Sequence, residues 1–285
     1  MSKKAIVLGG SGFIGRSLVL FLSDLGYVVE NWDIKEPTIH QNLWKSVDLR
    51  NISVSHRDAL QSADLIVHLA GISEIAKADQ DEILAYEVNV MGTLKLVNLL
   101  NSAPKANLVF ASSIYAEGSA GGAYGRTKKA AEDIVKSYRG PFQILRFGSV
   151  YGPNASKTSG LVGILSQLQN SSSVTYAGDG REIRNYLHVD DLVEVIHELI
   201  LSEERWGKTT IIQGQDQFDQ QRLFSILEEI IGAPIKVTFL ERGQHNRYSS
   251  TPIRLEDIPK VIRPRIQRDF YSSVLMIMKA LQKNG

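Results

Sequence analysis

The sequence predicts an α/β fold, a doubly wound parallel sheet followed by a smaller, mixed C-terminal substrate lobe. Three observations predict it. Short β-branched runs alternate with longer amphipathic stretches through the first half of the 285 residues, and strands alternating with helices of this length build right-handed βαβ units. A glycine-rich turn joins the first apolar run to the first amphipathic stretch. Past Gly152-Pro153 the alternation weakens and an arginine-rich pattern takes over.

Ala5 to Leu8 is a continuous apolar run, as a strand buried on both faces requires. Phe13 to Leu25 has the periodicity of a helix, and Tyr27 to Trp32 reads as the second strand. Leu65 to Leu69 and Asn107 to Phe110 are further strands, with a helix around Glu82 to Asn101 between them. A helix over Tyr124 to Tyr138 precedes a strand over Phe142 to Phe147. Val174 to Tyr176 and Thr209 to Ile212 are later strands flanking a helix from Asp190 to about Glu203. Ser156 to Gly160 is a loop, Lys236 to Arg268 is irregular, and a last helix covers Ser272 to Gln282. The expected division is a dinucleotide-binding domain over 1–152, completed by about 174–213. A smaller lobe, 153–173 with 214–285, closes over the carboxyl ends of the strands, where open α/β sheets bind ligands.

Hydrophobic residues make up 43% and charged residues 22%, the balance of an ordinary globular protein. A formal charge of +1 gives no reason to expect nucleic acid or a membrane surface as partner. The absence of cysteine removes disulfides, thiolate nucleophiles and cysteine-held metals, and it suits a reducing compartment. Met1 to Lys4 begins with charge but leads into too few apolar residues for a signal peptide. No apolar run approaches the roughly 18 residues of a membrane span, so the expected location is the cytoplasm. No metal-ligand cluster is apparent.

Gly9-Gly10-Ser11-Gly12-Phe13-Ile14-Gly15 follows the first strand and opens the first helix. Gly9, Gly12 and Gly15 would supply a tight turn, close backbone approach to a pyrophosphate, and close helix–strand packing. The helix start, with the N–H groups around Phe13 and Ile14, would receive the phosphates. The context of strand before and helix after is what makes this a Rossmann-type cofactor turn rather than one glycine cluster among many. Asp33, eighteen residues after Gly15 at the end of the second strand, can accept hydrogen bonds from both adenine-ribose hydroxyls. A carboxylate there repels a 2′-phosphate and favours NAD; Lys35 and Arg16 keep NADP open. A plain turn residue is the alternative for Asp33.

Tyr124-Gly125-Arg126-Thr127-Lys128 places a phenol and an ammonium four residues apart, on one helix face. A nearby cation stabilises tyrosinate, whose pKa is otherwise about 10, and makes the phenol usable as a base. In isolation the pair is as well explained by a solvated helix face. Ser112 and Ser113 end the preceding strand, so a serine hydroxyl emerges at the sheet's carboxyl edge. Ser113 could bridge a substrate oxygen and the tyrosine hydroxyl; the alternatives are that Ser112 holds that role or that one of the two simply caps a turn.

With these residues in order, the chain resembles the NAD-dependent epimerase/dehydratase family, the extended branch of the short-chain dehydrogenase/reductases. The resemblance is carried by Gly9 to Gly15, Asp33, Asp48-Leu49-Arg50, His68 to Gly71, Asn89 to Thr93, Ser112-Ser113, Tyr124 with Lys128, Arg146 to Pro153, and Gly178 to Gly180 followed by Arg184 to Asp191. It implies that Asp48 and Leu49 contact adenine, that Leu69 and Ala70 line the cofactor's path, and that Asn89 steadies the structure near the nicotinamide. Lys128 would also hold the nicotinamide ribose. Arg184 would bind a substrate diphosphate, which suits a guanidinium fork; a salt bridge to Asp190 or Asp191 is the alternative. His188 is expected to be a hydrogen-bonded structural residue. The helices around Glu82 to Asn101 and Tyr124 to Tyr138 resemble those that pair relatives into homodimers.

Departures from the family pattern narrow the reaction. Ile114 and Tyr115 stand where dehydratase relatives carry an Asp-Glu pair, so 4,6-dehydration is disfavoured. Relatives that epimerise two carbons and then reduce use a cysteine where Ile114 stands. Ser149 replaces an asparagine that usually holds the substrate phosphate. Tyr124 follows Ser113 by only eleven positions, through the glycine-rich 118–122 stretch, and this short linker implies a more open or differently shaped pocket. Lys236, Arg242, Arg247, Arg254, Lys260, Arg263, Arg265 and Arg268 could attract an anionic substrate or form a solvated basic surface. The resulting expectation is an NAD-dependent nucleotide-sugar 4-epimerase. A reductase of a nucleotide-linked 4-keto sugar is the rival, and a non-catalytic dinucleotide sensor the remote one.

Overall fold

A computed structural model of the chain describes residues 2–118, 121–157, 160–169, 171–240 and 259–283. The first half runs β1 (Lys4–Leu8), α1 (Phe13–Asp24), β2 (Val28–Asp33), β3 (Trp44–Ser46), α2 (Arg57–Gln61), β4 (Leu65–His68), α3 (Ile75–Gln80), α4 (Glu82–Tyr86), α5 (Gly92–Leu100), β5 (Asn107–Ser113), α6 (Gly122–Lys136) and β6 (Phe142–Phe147). The rest comprises β7 (Ser149–Tyr151), α7 (Gly160–Leu168), β8 (Ser173–Ala177), β9 (Arg184–His188), α8 (Val189–Leu201), β10 (Lys208–Ile212), β11 (Asp216–Phe218), α9 (Gln220–Ile231), β12 (Lys236–Leu240), β13 (Lys260–Ile262) and α10 (Phe270–Lys283).

Eight strands form one sheet in the order β13-β10-β6-β5-β4-β1-β2-β3, with β6, β5, β4, β1, β2 and β3 parallel. Strand order steps outward in both directions from β1, the mark of a doubly wound sheet. Ile6, Ile66, Leu108 and Ile144 lie on successive central strands and are fully buried. They pack with Leu96, Leu100 and Val135 from the helices, each such side chain contributing about 1.5–3 kcal/mol by leaving water. Parallel register aligns the strand ends. Leu8 pairs with Trp32 and His68, and His68 with Phe110, so the segments following β1, β2, β4 and β5 gather at one edge.

The apolar stretch from Glu82 to Leu100 is one continuous 19-residue helical run, long and apolar enough by composition to cross a membrane. Its burial explains the composition. Leu96, Val97 and Leu100 belong to the sheet's core, and a π-helical turn, Glu87–Met91, separates α4 from α5.

The chain divides into two compact units. The first holds the residues through Phe147 and Ile196–Ile211; the second holds Gly148–Val195, the described residues from Ile212 to Leu240, and those from Val261 onward. The segment 174–213, expected to complete the first domain, is therefore shared between them. The second unit carries a three-stranded sheet, β11-β9-β7, and a parallel pair, β12 with β8. Tyr151, Tyr186, Phe218 and Phe270 cluster there with ring centroids 5.3–6.1 Å apart.

The sequence missed α9 altogether, although its signals are local. Asp219 caps it by accepting the Arg222 N–H at 2.6 Å, and Gly232 ends it at φ 73°. Within the span expected to be irregular, β12 and β13 are regular strands, and residues 241–258 lie outside the described residues.

Candidate active site

The glycine turn packs closely against the segments around it and leaves the start of α1 uncapped. Gly9 has φ 83°, and a Cβ there would lie 2.6 Å from the Ala70 nitrogen, so only glycine admits this close pass to the segment after β4. A Cβ on Gly15 would lie 2.1 Å from the Gly9 carbonyl oxygen, and one on Gly10 would lie 2.3 Å from Asn31 Oδ1. Gly12 differs: its Cβ would meet one atom, the Gly9 oxygen, at 3.2 Å. Gly12 is also the N-cap of α1, and no side chain caps that helix. Phe13 and Ile14 open its first turn, where partial positive charge and N–H groups favour an anion.

Asp33 ends β2 beside this turn. Its carboxylate accepts the Ser11 N–H at 3.0 Å and the Lys35 N–H at 2.9 Å, which ties strand and turn together. Asp48 accepts the Arg50 N–H at 2.9 Å and pairs with the Arg50 guanidinium at 2.7 Å; this pairing holds the carboxyl below its usual range, although burial pushes the other way. Leu49 is packed into the core, against Gly92. Leu69 and Ala70 continue from β4, the Leu69 N–H donating to the Leu8 carbonyl at 2.8 Å.

Asn89 is buried in the π-helical turn, where the extra residue rotates it toward two other segments. Its Oδ1 accepts the Ile72 N–H at 2.8 Å. Its Nδ2 donates to the Ile72 carbonyl and to Thr127 Oγ1, both at 3.0 Å. One side chain thus pins the loop after β4 to α6, one residue before Lys128.

Tyr124 lies in the first turn of α6, and Lys128 follows one turn later, both buried. The Ser113 side chain lies near the Tyr124 hydroxyl. Burial pushes the phenol up to about 12, while the Ser113 contact works in the opposite direction. The phenol was expected to be lowered by the neighbouring cation; in the protein on its own it is raised instead, by desolvation first. The Lys128 ammonium donates to the Ala111 carbonyl at 2.8 Å and lies 5.0 Å from the centre of the Phe110 ring. Burial lowers it to about 8, and Glu132 works against that shift.

Ser112 and Ser113, which the sequence could not separate, have different duties. Ser112 Oγ donates to Glu132 Oε1 at 2.5 Å inside the protein. Ser113, on the other face of β5, meets Tyr124 and accepts the Tyr115 N–H at 3.2 Å. The described part of the linker between Ser113 and Tyr124 is closely packed against α6. A Cβ on Gly121 would lie 2.7 Å from Tyr115 Cβ, and one on Gly125 would lie 2.4 Å from the Tyr115 carbonyl oxygen. The Tyr115 and Tyr124 rings meet edge to face at 6.4 Å.

Several residues of the site carry no sequence signal that was read. Asp79 accepts the Ala123 N–H at 2.8 Å and so caps α6 from a separate helix. Glu132 is fully buried, and its carboxylate accepts Arg146 Nε at 2.8 Å and Nη2 at 2.7 Å. Arg146 Nη1 also binds Glu117, in the linker. Its place in the Arg146-to-Pro153 motif was the one available hint.

In the second unit, Ser149 opens β7 and Arg184 opens β9, both partly exposed. The acids considered as partners of Arg184 are bound by Arg268, which contacts Asp191, Asp190 at 3.6 Å and Glu194 at 3.1 Å. Arg268 is thereby a neutralised member of the basic cluster. Lys236, Lys260, Arg263 and Arg265 are exposed, while Arg242, Arg247 and Arg254 lie outside the described residues. His188 is buried, its Nδ1 accepting the Asp190 N–H at 3.2 Å, and it packs edge-on against Tyr151. That arrangement is structural. Among the described residues, no group of three or more His, Asp or Glu could hold a metal ion.

A sequence model of the NAD dependent epimerase/dehydratase family matches residues 5–212. The chain is 27% identical over 248 residues to UDP-glucose 4-epimerase 2 of Arabidopsis thaliana, covering 68% of this chain and 70% of that one. It is 25% identical over 298 residues to a UDP-N-acetyl-alpha-D-glucosaminuronate decarboxylase of Bacillus cytotoxicus, covering 92% and 91%. Its fold superposes, with a TM-score of 0.82 and 20% identity, on a UDP-glucuronic acid 4-epimerase from Bacillus cereus solved with UDP-glucuronic acid and NAD, covering 99% of this chain and 100% of that one.

Proposed function

This chain belongs to the NAD-dependent epimerase/dehydratase family, and from that premise we propose that it is an NAD-dependent nucleotide-sugar 4-epimerase. The observation that carries the reading is that Ser113, Tyr124 and Lys128 are all buried, the phenol one helical turn from the ammonium and the serine ending β5, at the sheet edge that also bears the glycine turn and Asp33. When bound, NAD supplies the hydride acceptor that turns the sugar into a 4-keto form and the hydride donor that reduces it again. Tyr124 takes the C4 hydroxyl proton and later returns it. Ser113 holds the reacting oxygen against the phenol, and Lys128 supplies the positive charge that makes a tyrosinate attainable. Proton transfer by a positioned group of this kind contributes about 10²–10⁴ in rate. Asp33 favours NAD over its 2′-phosphorylated form. Arg184 and Ser149 are the proposed contacts of the substrate diphosphate.

The matched 4-epimerases support this reaction over others of the family, as do Ile114 and Tyr115 in place of an acidic pair. The rival is a reductase of a nucleotide-linked 4-keto sugar, which would use the same residues. A test separates them. The purified 4-epimerase retains dinucleotide and interconverts C4 epimers of a UDP-sugar with none added; activity that appears only with supplied NADH or NADPH would make it the reductase. The proposed assembly is a homodimer built on the helices spanning Glu82 to Leu100 and Gly122 to Lys136, where Ile83 and Met91 are exposed. A monomer mass in sedimentation at micromolar concentration would reject it.

A further inference from the structure

A line of alternating charge runs from the linker to the proposed proton-handling pair. Glu117, in the linker, binds Arg146. Arg146, buried on β6, makes a two-pronged contact with Glu132. Glu132 lies one turn after Lys128 on the buried face of α6, which puts the two side chains side by side. The formal charges alternate, −, +, −, +, and cancel. Three of the four groups are almost wholly removed from solvent, so each depends on its neighbours for compensation.

The remaining surroundings of Lys128 offer no second anion among the described residues. Tyr124 precedes it on α6, a neutral phenol at ordinary pH. His68, at the end of β4, feels the ammonium and is itself held neutral by burial. β5 presents the Phe110 ring, the Ala111 carbonyl and Ser112, whose hydroxyl is committed to Glu132. The loop after β4 presents Gly71, whose missing side chain leaves room beside the ammonium. Asn89 is uncharged.

We propose that Glu132, backed by Arg146 and Glu117, is the group that keeps Lys128 charged, so that the linker acid governs the lysine's protonation from outside the site. Glu132 and Arg146 are positioning residues: neither is assigned contact with substrate or cofactor. The idea rests on the reading of Tyr124 and Lys128 as the working pair, and not on the identity of the sugar.

The 285-residue chain, with ¹³C-labelled lysine and no substrate or dinucleotide, tests it. The Lys128 side-chain resonance is assigned by its loss in Lys128→Met and titrated by NMR. Removing a neighbouring opposite charge lowers a buried amine's midpoint by about one unit or more, and that drop is the result expected for Glu132→Gln. Glu117→Gln, at a half-exposed site that tolerates the change, lowers the midpoint in the same sense by less, and Glu117→Asp restores it. A Lys128 midpoint unmoved in Glu132→Gln overturns the proposal, as does one unmoved in Glu117→Gln, which decides alone if Glu132→Gln does not fold. A merely structural role would lower thermal stability and leave the midpoint where it was. Absence of sugar-isomerising activity would count against the function proposed above and would not touch these midpoints.

Discussion

Two glycines of the same turn are expected to fail in opposite ways when each is replaced by alanine. Gly15→Ala puts a methyl group 2.1 Å from the Gly9 carbonyl oxygen and 2.7 Å from Gly10 Cα. Ordinary contact needs more than an ångström of added separation, and both neighbours are backbone, so α1 must move away from β1. Overpacking of this kind costs about 1–3 kcal/mol. At roughly 2–4 °C per kcal/mol, the melting temperature should fall by about 2–12 °C, and dinucleotide affinity should fall with it. Gly12→Ala meets one atom at 3.2 Å, and its backbone, at φ −71° and ψ 177°, is open to any residue. Losing glycine at the N-cap costs up to about 1 kcal/mol, and the stiffer unfolded chain returns about 0.4–1 kcal/mol. Its melting temperature should therefore stay within about 2–3 °C of the parent. Its methyl group nevertheless occupies the surface that a pyrophosphate approaches, so NAD affinity should drop tenfold or more, about 1.4 kcal/mol. Thermal melts and calorimetric titration with NAD measure both quantities. A Gly12→Ala protein that binds NAD like the parent, or a Gly15→Ala protein that melts like it, would refute the assignment of duties within the turn.

Tyr124→Phe should keep dinucleotide affinity and lose about 10²–10⁴ in turnover; a protein that only senses dinucleotide would be indifferent to the lost hydroxyl. Asn89→Ala strips partners from the Ile72 N–H and carbonyl and from Thr127. At about 1 kcal/mol for each bond, it should destabilise the chain by roughly 3 kcal/mol, read by denaturant titration, and a loss below about 1 kcal/mol would mean that water or a repacked loop replaces it. His68 is held neutral in the folded chain down to about 3 by burial, with the Lys128 charge adding to the effect. The unfolded imidazole, near 6.5, takes up a proton that the folded one refuses. Its contribution to stability is therefore whole above about pH 6.5 and lost progressively toward pH 3. His68→Leu should flatten the decline in melting temperature over that window, and an unchanged slope would show that other groups drive it.

What was legible in the sequence was local. The glycine turn, the acid closing β2 and the Tyr-x-x-x-Lys spacing each express a demand made within a few residues: a positive φ, a missing Cβ, two side chains on one helical turn. The apolar runs of β1, β4 and β5 were readable for a similar reason, because a strand covered on both faces admits few polar residues. Short elements such as β3, α3 and β11 fell below that threshold. The helix α9 did not, and its Asp219 and Gly232 ends were there to be read.

The choice between Ser112 and Ser113 shows where such reading stops. Alternation along β5 sends neighbouring side chains to opposite faces, so one of the two had to face inward, but which one depends on where α6 packs. The Glu132–Arg146–Glu117 chain is hidden for the same cause: its members are 14 and 29 residues apart and meet only once β6 and the linker are laid against α6. The phenol's high proton affinity is likewise a product of burial, which no spacing records. By itself the sequence determined the fold class and marked out the glycine turn and the tyrosine–lysine spacing, since each is specified by short-range backbone and side-chain geometry. Tertiary structure alone decided which buried charges compensate one another, because desolvation and Coulomb forces act through space and are indifferent to order along the chain.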